Sequence, residues 1–209
     1  MTETKLLNAV GTTWDACIRI VPVGKAAGAL VFSHDGALIV AYGDYYVKIF
    51  DAMTGVNRVT LEEAEPVVSV AFSPDNDLLA SALLYGDMNV WDVQTGTLFR
   101  TFQVLVGEVT QSCFKRLVTF SPCGTMIASS SNRSRDVRIR NISSGNCHCV
   151  LQGHSGGVRD ICWLATGKQI ISVSGDYTVR IWDVQQKTCS DIFAACYVPL
   201  TVACSTDYF

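Results

Sequence analysis

Three side chains in the last third of the sequence, His154, Ser172 and Asp176, are of the types that could do covalent chemistry. A base beside a hydroxyl, itself oriented by a carboxylate, is how serine becomes a nucleophile. The local sequence argues against that use. Ser172 lies in Ile170-Ile171-Ser172-Val173-Ser174, with no G-x-S-x-G turn to expose it. Cys147-His148-Cys149 offers soft metal ligands, yet adjacent strand residues point to opposite faces and no second ligand pair stands at zinc-site spacing. Arg133, Arg135, Arg138 and Arg140 form a short basic run, of which Arg133 and Arg135 fall in a turn and are the freer to bind. No phosphate-cradling glycine loop and no H-E-x-x-H motif accompany them. The expectation is no cofactor, no metal and no small-molecule substrate.

The elements that must position these groups are strands. The 209 residues are 49% hydrophobic and only 17% charged, enough apolar material for a core. They are rich in Val, Ile and Thr, which favour the pleated sheet. A net charge of −3 and a pI near 5.5 speak against a dedicated nucleic-acid binder. The longest weakly polar stretch, 192–205, carries Pro199 and is too short to span a bilayer. Nine cysteines without C-x-x-C, behind an N-terminus lacking an apolar run, predict free thiols in an intracellular protein, with nucleus and cytoplasm equally open.

Two phrases recur. The first is Phe32-Ser33-His34-Asp35-Gly36, then Phe72-Ser73-Pro74-Asp75-Asn76, then Phe120-Ser121-Pro122-Cys123-Gly124, with weaker copies opening at Trp163 and Cys204. Each reads as an apolar strand end followed by turn chemistry. The second is Asp176-Tyr177-Thr178-Val179-Arg180-Ile181-Trp182-Asp183, echoed at Asp44 to Asp51 and, without its aromatic, from Asp15. Its Val/Ile and Arg/Lys alternation is the period of a strand. With Gly153-His154 placed 28 residues before the Trp182-Asp183 pair, the sequence resembles the WD40-repeat family. Its strongest copy lies at 151–190. The repeats read approximately as 24–56, 57–98, 99–150 and 151–190, with 1–23 and 191–209 together making a fifth.

That resemblance implies an all-β protein: a β-propeller of four-stranded antiparallel blades, about five in number, with strands a to d running outward from the axis. Counting strands leaves b to d at the start and a at the end, which allows closure by pairing of 197–204 with 6–12; an incomplete arc of a larger propeller is the rival reading. His154, Ser172, Asp176 and Trp182 become a buried structural tetrad, and Asp15 and Asp44 the matching turn residues of other copies. The family's partner face carries the d–a and b–c loops. Its contact positions map onto Trp14, Val68, Leu84, Phe114, Arg116, Arg133, Arg159, Val198 and Leu200. An apolar centre with arginine neighbours suits a protein or peptide partner carrying acidic or phosphorylated groups, because Arg pairs such groups bidentately. The implied function is a non-catalytic interaction scaffold. Its alternatives are the WD-repeat part of a larger assembly, such as a NACHT-type receptor or a corepressor, and, more remotely, the serine hydrolase.

Overall fold

A computed structural model describes residues 4–6, 19–21, 29–103, 116–131, 134–199 and 201–202 of the chain. Strands β1 (Thr4–Leu6) and β2 (Arg19–Val21) form a two-stranded antiparallel sheet. Four sheets of four antiparallel strands follow. Blade 1 comprises β3 (Ala29–Phe32), β4 (Leu38–Tyr42), β5 (Tyr46–Asp51) and β6 (Asn57–Glu62). Blade 2 comprises β7 (Val67–Phe72), β8 (Leu78–Leu83), β9 (Met88–Asp92) and β10 (Leu98–Phe102). Blade 3 comprises β11 (Arg116–Phe120), β12 (Met126–Ser131), β13 (Val137–Asn141) and β14 (Cys147–Leu151). Blade 4 comprises β15 (Val158–Trp163), β16 (Gln169–Ser174), β17 (Thr178–Asp183) and β18 (Thr188–Ala194). The described residues contain no helix, and the architecture is blade-like, as a propeller requires. The sheets run past the repeat edges read at 56 and 98, because β6 and β10 pair back onto β5 and β9.

The recurrent Phe-Ser phrase closes the first hairpin of blades 1 and 2 by one mechanism and that of blade 3 by a variant of it. Ser33 Oγ accepts the Leu38 N–H at 2.9 Å and donates to Asp35 Oδ1 at 2.6 Å, and that carboxylate takes the Ala37 N–H at 3.0 Å. Ser73 and Asp75 repeat the arrangement in blade 2. In blade 3 the Cys123 thiol stands where the carboxylate would, 3.3 Å from Ser121 Oγ. Gly36, Asn76, Gly124 and Gly167 all take the left-handed step, with φ between 65° and 70°.

The core lies in layers between blades. Val40, Val47, Ile49 and Leu61 of blade 1 pack with Val67, Val70, Phe72 and Leu79 of blade 2. A second layer joins Val90 and Phe102 to Val118 and Ile127, and a third joins Ile139 and Leu151 to Ile161, Ile170 and Trp182. Period-2 alternation places these side chains on the covered faces, which is why each blade needs its neighbour.

Blade 4 departs from this pattern. Residues paired in equivalent register across strands c and d, Val47 with Leu61, Met88 with Phe102 and Val137 with Leu151, are all buried. Their counterparts Val179 and Phe193 are not: Phe193 is 54% exposed, against 1%, 4% and 0% for Leu61, Phe102 and Leu151. The pairing of 197–204 with 6–12 lies mostly outside the described residues. Of its described part, Leu6 ends β1, residues 197–199 and 201–202 are in no strand, and Thr201 Oγ1 and Val202 N–H donate to Asp160 Oδ2 at 2.7 and 2.9 Å.

Candidate functional site

His154 leaves β14 in the loop before β15, Ser172 is in the middle of β16, Asp176 is in the turn after it, and Trp182 is in β17. The fold brings all four together. His154 Nδ1 lies 2.9 Å from Asp176 Oδ2, and His154 Nε2 lies 2.7 Å from Ser172 Oγ. Trp182 Nε1–H donates to the same Ser172 Oγ at 2.7 Å, and its ring meets the imidazole edge-on, centroids 5.8 Å apart. Asp176 also accepts the Ser155 N–H at 2.9 Å and the Thr178 hydroxyl at 2.6 Å.

The proton order follows from the donors. A carboxylate only accepts, so His154 Nδ1 carries the hydrogen and Nε2 accepts from Ser172. The serine oxygen is then free to accept from Trp182. Burial pushes the His154 pKa down, against the pull of Asp176, which favours the neutral ring this wiring requires. Burial alone would raise the Asp176 carboxyl; hydrogen bonds from Thr178, His154 and Ser155 outweigh it and hold it well below the usual carboxylate range.

These distances are those of a serine protease triad, but the setting is wrong for one. Ser172 is 0% and Trp182 1% exposed, and the serine oxygen already accepts the indole N–H. The network instead ties the d–a loop to the b–c turn and both to strand c. Arg180 covers it, with the guanidinium 5.7 Å from the Trp182 ring. This cover explains the glycine of Gly153-His154. A Cβ there would stand 2.7 Å from Arg180 Nη1 and 3.3 Å from the indole, at a φ of +151° that side chains rarely adopt. Gly153→Ala is therefore expected to lower stability by about 1–3 kcal/mol, measured as a shift in the urea midpoint at unchanged slope.

Blade 2 holds a second network that the motif reading missed. Glu63 is only 6% exposed and accepts from the Ser81 hydroxyl, from Trp91 Nε1–H at 2.9 Å and from Asn89 Nδ2 at 2.6 Å. The signal was present in the spacing. Glu63 precedes Ser81 by 18 residues and Trp91 by 28, the same offsets that separate His154 from Ser172 and Trp182. Tyr85 holds the turn position of Asp176, and its N–H is taken by Glu65 Oε2 at 3.0 Å. In blades 1 and 3 the tryptophan position carries a buried Phe50 and an Arg140 that packs over Phe102. Asp44 lies in its turn as expected, but with its side chain exposed; Asp15 is outside the described residues.

The expected partner face is described in part. Gly175 N–H donates to Gly157 O at 2.9 Å, and Leu84 N–H donates to Pro66 O at 2.9 Å. Neighbouring blades are stitched by Val67 N–H to Gly43 O at 3.2 Å and by Val158 N–H to Ser134 O at 2.9 Å. Arg159 lies beside Gly175, where a Cβ would come 3.6 Å from its Nε, a buried nitrogen with no hydrogen-bond partner. Leu84 and Val198 are half-buried, and Val68 packs partly into the layer between blades 2 and 3. Trp14, Phe114, Arg133 and Leu200 lie outside the described residues, as does the side chain of Arg116. Cys147 and His148 are exposed while Cys149 faces the core. Among the described residues no three His, Cys, Asp or Glu side chains are grouped to hold a metal ion.

With this geometry, the comparison with known families is decisive on one point. The model of the WD domain, G-beta repeat, matches residues 55–92 and 145–183. At these two positions the chain carries WD40 repeats. The two matches contain the two tryptophan-centred networks, which ties the WD40 pattern to buried polar wiring rather than to a reaction. Similar proteins carry WD repeats as well. Periodic tryptophan protein 2 of Arabidopsis thaliana is 27% identical over 99% of this chain and 21% of its own length. WD repeat and SOCS box-containing protein 1 of Homo sapiens is 30% identical over 56% of the chain and 27% of its own length. Nuclear distribution protein PAC1 of Arthroderma benhamiae is 27% identical over 69% of the chain and 32% of its own length. The chain thus spans a fifth to a third of these relatives. WD40 repeats generally serve as protein-interaction scaffolds, and such proteins are typically non-catalytic. Among the described residues no helix is long and apolar enough to cross a membrane.

Proposed function

We propose that this chain is a non-catalytic interaction scaffold whose WD40 blades bind a protein or peptide partner on the face carrying the d–a and b–c loops. The observation that carries the reading is Arg159. Its half-buried side chain stands beside Gly175, between loops fixed by backbone hydrogen bonds. Arginine on a rigid frame is the residue type that dominates interface energetics, and it pairs carboxylate or phosphate bidentately. An acidic or phosphorylated peptide is therefore the partner this end of the face fits, ahead of nucleic acid on a chain of net charge −3. The sealed Ser172 supports the non-catalytic reading over a hydrolase. The six described cysteines are free thiols, which supports an intracellular setting.

Because the chain matches only a fifth to a third of its relatives, we also assign it a place as the WD-repeat part of a larger assembly. The test is co-purification from cell extract with wild type against Arg159→Glu/Leu84→Asp, once unfolding curves show the variant folded. Captured partners are expected to fall at least tenfold. Full retention of every partner would move the binding surface off this face.

A further inference from the structure

We infer that the face carrying the d–a and b–c loops is self-complementary and pairs two-fold with a second copy of this chain, the acidic half of each copy against the basic half of the other. The inference rests on the reading of this face as the partner surface, and it names the partner. The acidic half is blades 1 and 2. Its described turns and loops, 43–46, 62–66 and 84–87, carry Asp44, Glu62, Glu65 and Asp87 and no Lys or Arg. They form one block. Val67 N–H reaches Gly43 O at 3.2 Å, Glu63 N–H reaches Tyr45 O at 2.9 Å, and Tyr85 N–H reaches Glu65 Oε2 at 3.0 Å. Tyr45 and Tyr85 stand half exposed within it.

The basic half is blades 3 and 4. Arg135 and Arg159 each follow one partner of the hydrogen bond that stitches these blades, Val158 N–H to Ser134 O at 2.9 Å, which brings their backbones to one place on the face. The two described carboxylates of this half are engaged internally: Asp136 accepts from Gln152 Nε2 at 3.3 Å, and Asp176 lies in the His154 network. Tyr177 is half exposed here at a φ of 65°, a left-handed step of the kind that is strained for a side chain and clusters at binding sites. Opposite signs thus occupy opposite halves of one face. A two-fold axis along the boundary between blades 2 and 3 lays each half on its complement in the other copy, as an isologous interface requires. Arg135 and Arg159 then meet the carboxylates of Asp44 and Glu62 and the rings of Tyr45 and Tyr85, both of which a guanidinium pairs well. A short acidic peptide would engage the basic half alone, whereas a second copy engages both.

The experiment measures the mass of the full chain by light scattering. Two copies are expected at low salt, with a dissociation constant that rises at least tenfold between about 0.05 and about 0.5 M salt. Arg135→Glu/Arg159→Glu and Asp44→Arg/Glu62→Arg are each expected to run as one chain. An equal mixture of the two is expected to regain the two-copy mass, because reversal on both sides recreates complementary halves. Should the first variant fail to fold, Arg135→Glu alone, at an exposed turn residue, is expected to weaken pairing at least tenfold. A one-chain mass for wild type at every concentration, indifference to salt, a mass unmoved by either reversal, or a mixture that stays at one chain would each overturn the inference. Failure of the partner-face reading has a different signature, since Arg159→Glu/Leu84→Asp would then keep every captured partner. A one-chain wild type whose partners are lost in that variant would leave the face standing and strike the second copy.

Discussion

Asp176→Ala is expected to lower the folding free energy by about 2–4 kcal/mol, against less than about 0.5 kcal/mol for Asp44→Ala. Both residues occupy the same turn position in their blades, yet only Asp176 is built in. It accepts from His154 Nδ1, the Ser155 N–H and the Thr178 hydroxyl, with its side chain 4% exposed, whereas Asp44 is exposed. Removing the carboxylate leaves those donors unmatched, and His154 loses the group that fixes its tautomer. Urea unfolding of the two variants measures the difference, and equal losses would refute the network.

The same network predicts a pH dependence. Folded His154 binds a proton less readily than it does in the unfolded chain, since burial lowers its pKa from 6.5. The unfolded state therefore holds more protons below that value, and stability falls as pH drops through the range below about 6.5. His154→Gln, which keeps an acceptor for Ser172, is expected to flatten that part of the profile.

Glu63→Ala is the counterpart in blade 2, with an expected loss of about 2–4 kcal/mol. It takes the shared acceptor from three donors at once: the buried Ser81 hydroxyl, the half-buried Asn89 amide and the Trp91 indole N–H, which keeps only Ser81 Oγ at 3.1 Å. Glu63→Gln should cost about half as much. Its carbonyl can serve Ser81 and Trp91, but its amide meets the Asn89 amide, whose own oxygen already accepts from Thr101 at 2.7 Å. Exposed Glu62, one residue away, provides the control, and Glu62→Ala should be neutral within about 0.5 kcal/mol. The pH sign is opposite to that of His154. Burial pushes the Glu63 pKa up from 4.5, against the hydrogen bonds of Ser81, Asn89 and Trp91. Folding therefore favours the protonated form: its contribution is full below about 4.5 and is lost as pH rises through the raised value. Mild acid thus weakens blade 4 through His154 while it relieves blade 2 through Glu63. Matched profiles of His154→Gln and Glu63→Gln separate the two effects, and slopes of the same sign in both would refute this wiring.

The sequence by itself determined the strand pattern and the turns. Both are local: Ser33 and Asp35 bind backbone groups within five residues, and the left-handed step at Gly36 needs nothing from elsewhere. The His154–Ser172–Asp176–Trp182 cluster was legible only through the family resemblance: Ser172 and Trp182 sit on adjacent strands, where register turns spacing into distance, but His154 and Asp176 reach them from the loop before β15 and the turn after β16. The same spacing held Glu63, but a glutamate before a strand reads as a solvated charge until burial is known. Residue type alone does not report that Ser81, Asn89 and Trp91 all turn their donors toward it. Exposure was decided only by the tertiary structure. Val68, an aliphatic residue mapped to the partner face, is drawn partly into the layer with blade 3. Phe193 and Leu151 are interchangeable by pattern, yet among the described residues Leu151 is packed into the layer with blade 4 while Phe193 is half exposed. Alternation specifies which face of a strand is apolar. What lies against that face is a long-range contact, written in no window of the sequence shorter than the blade that supplies it.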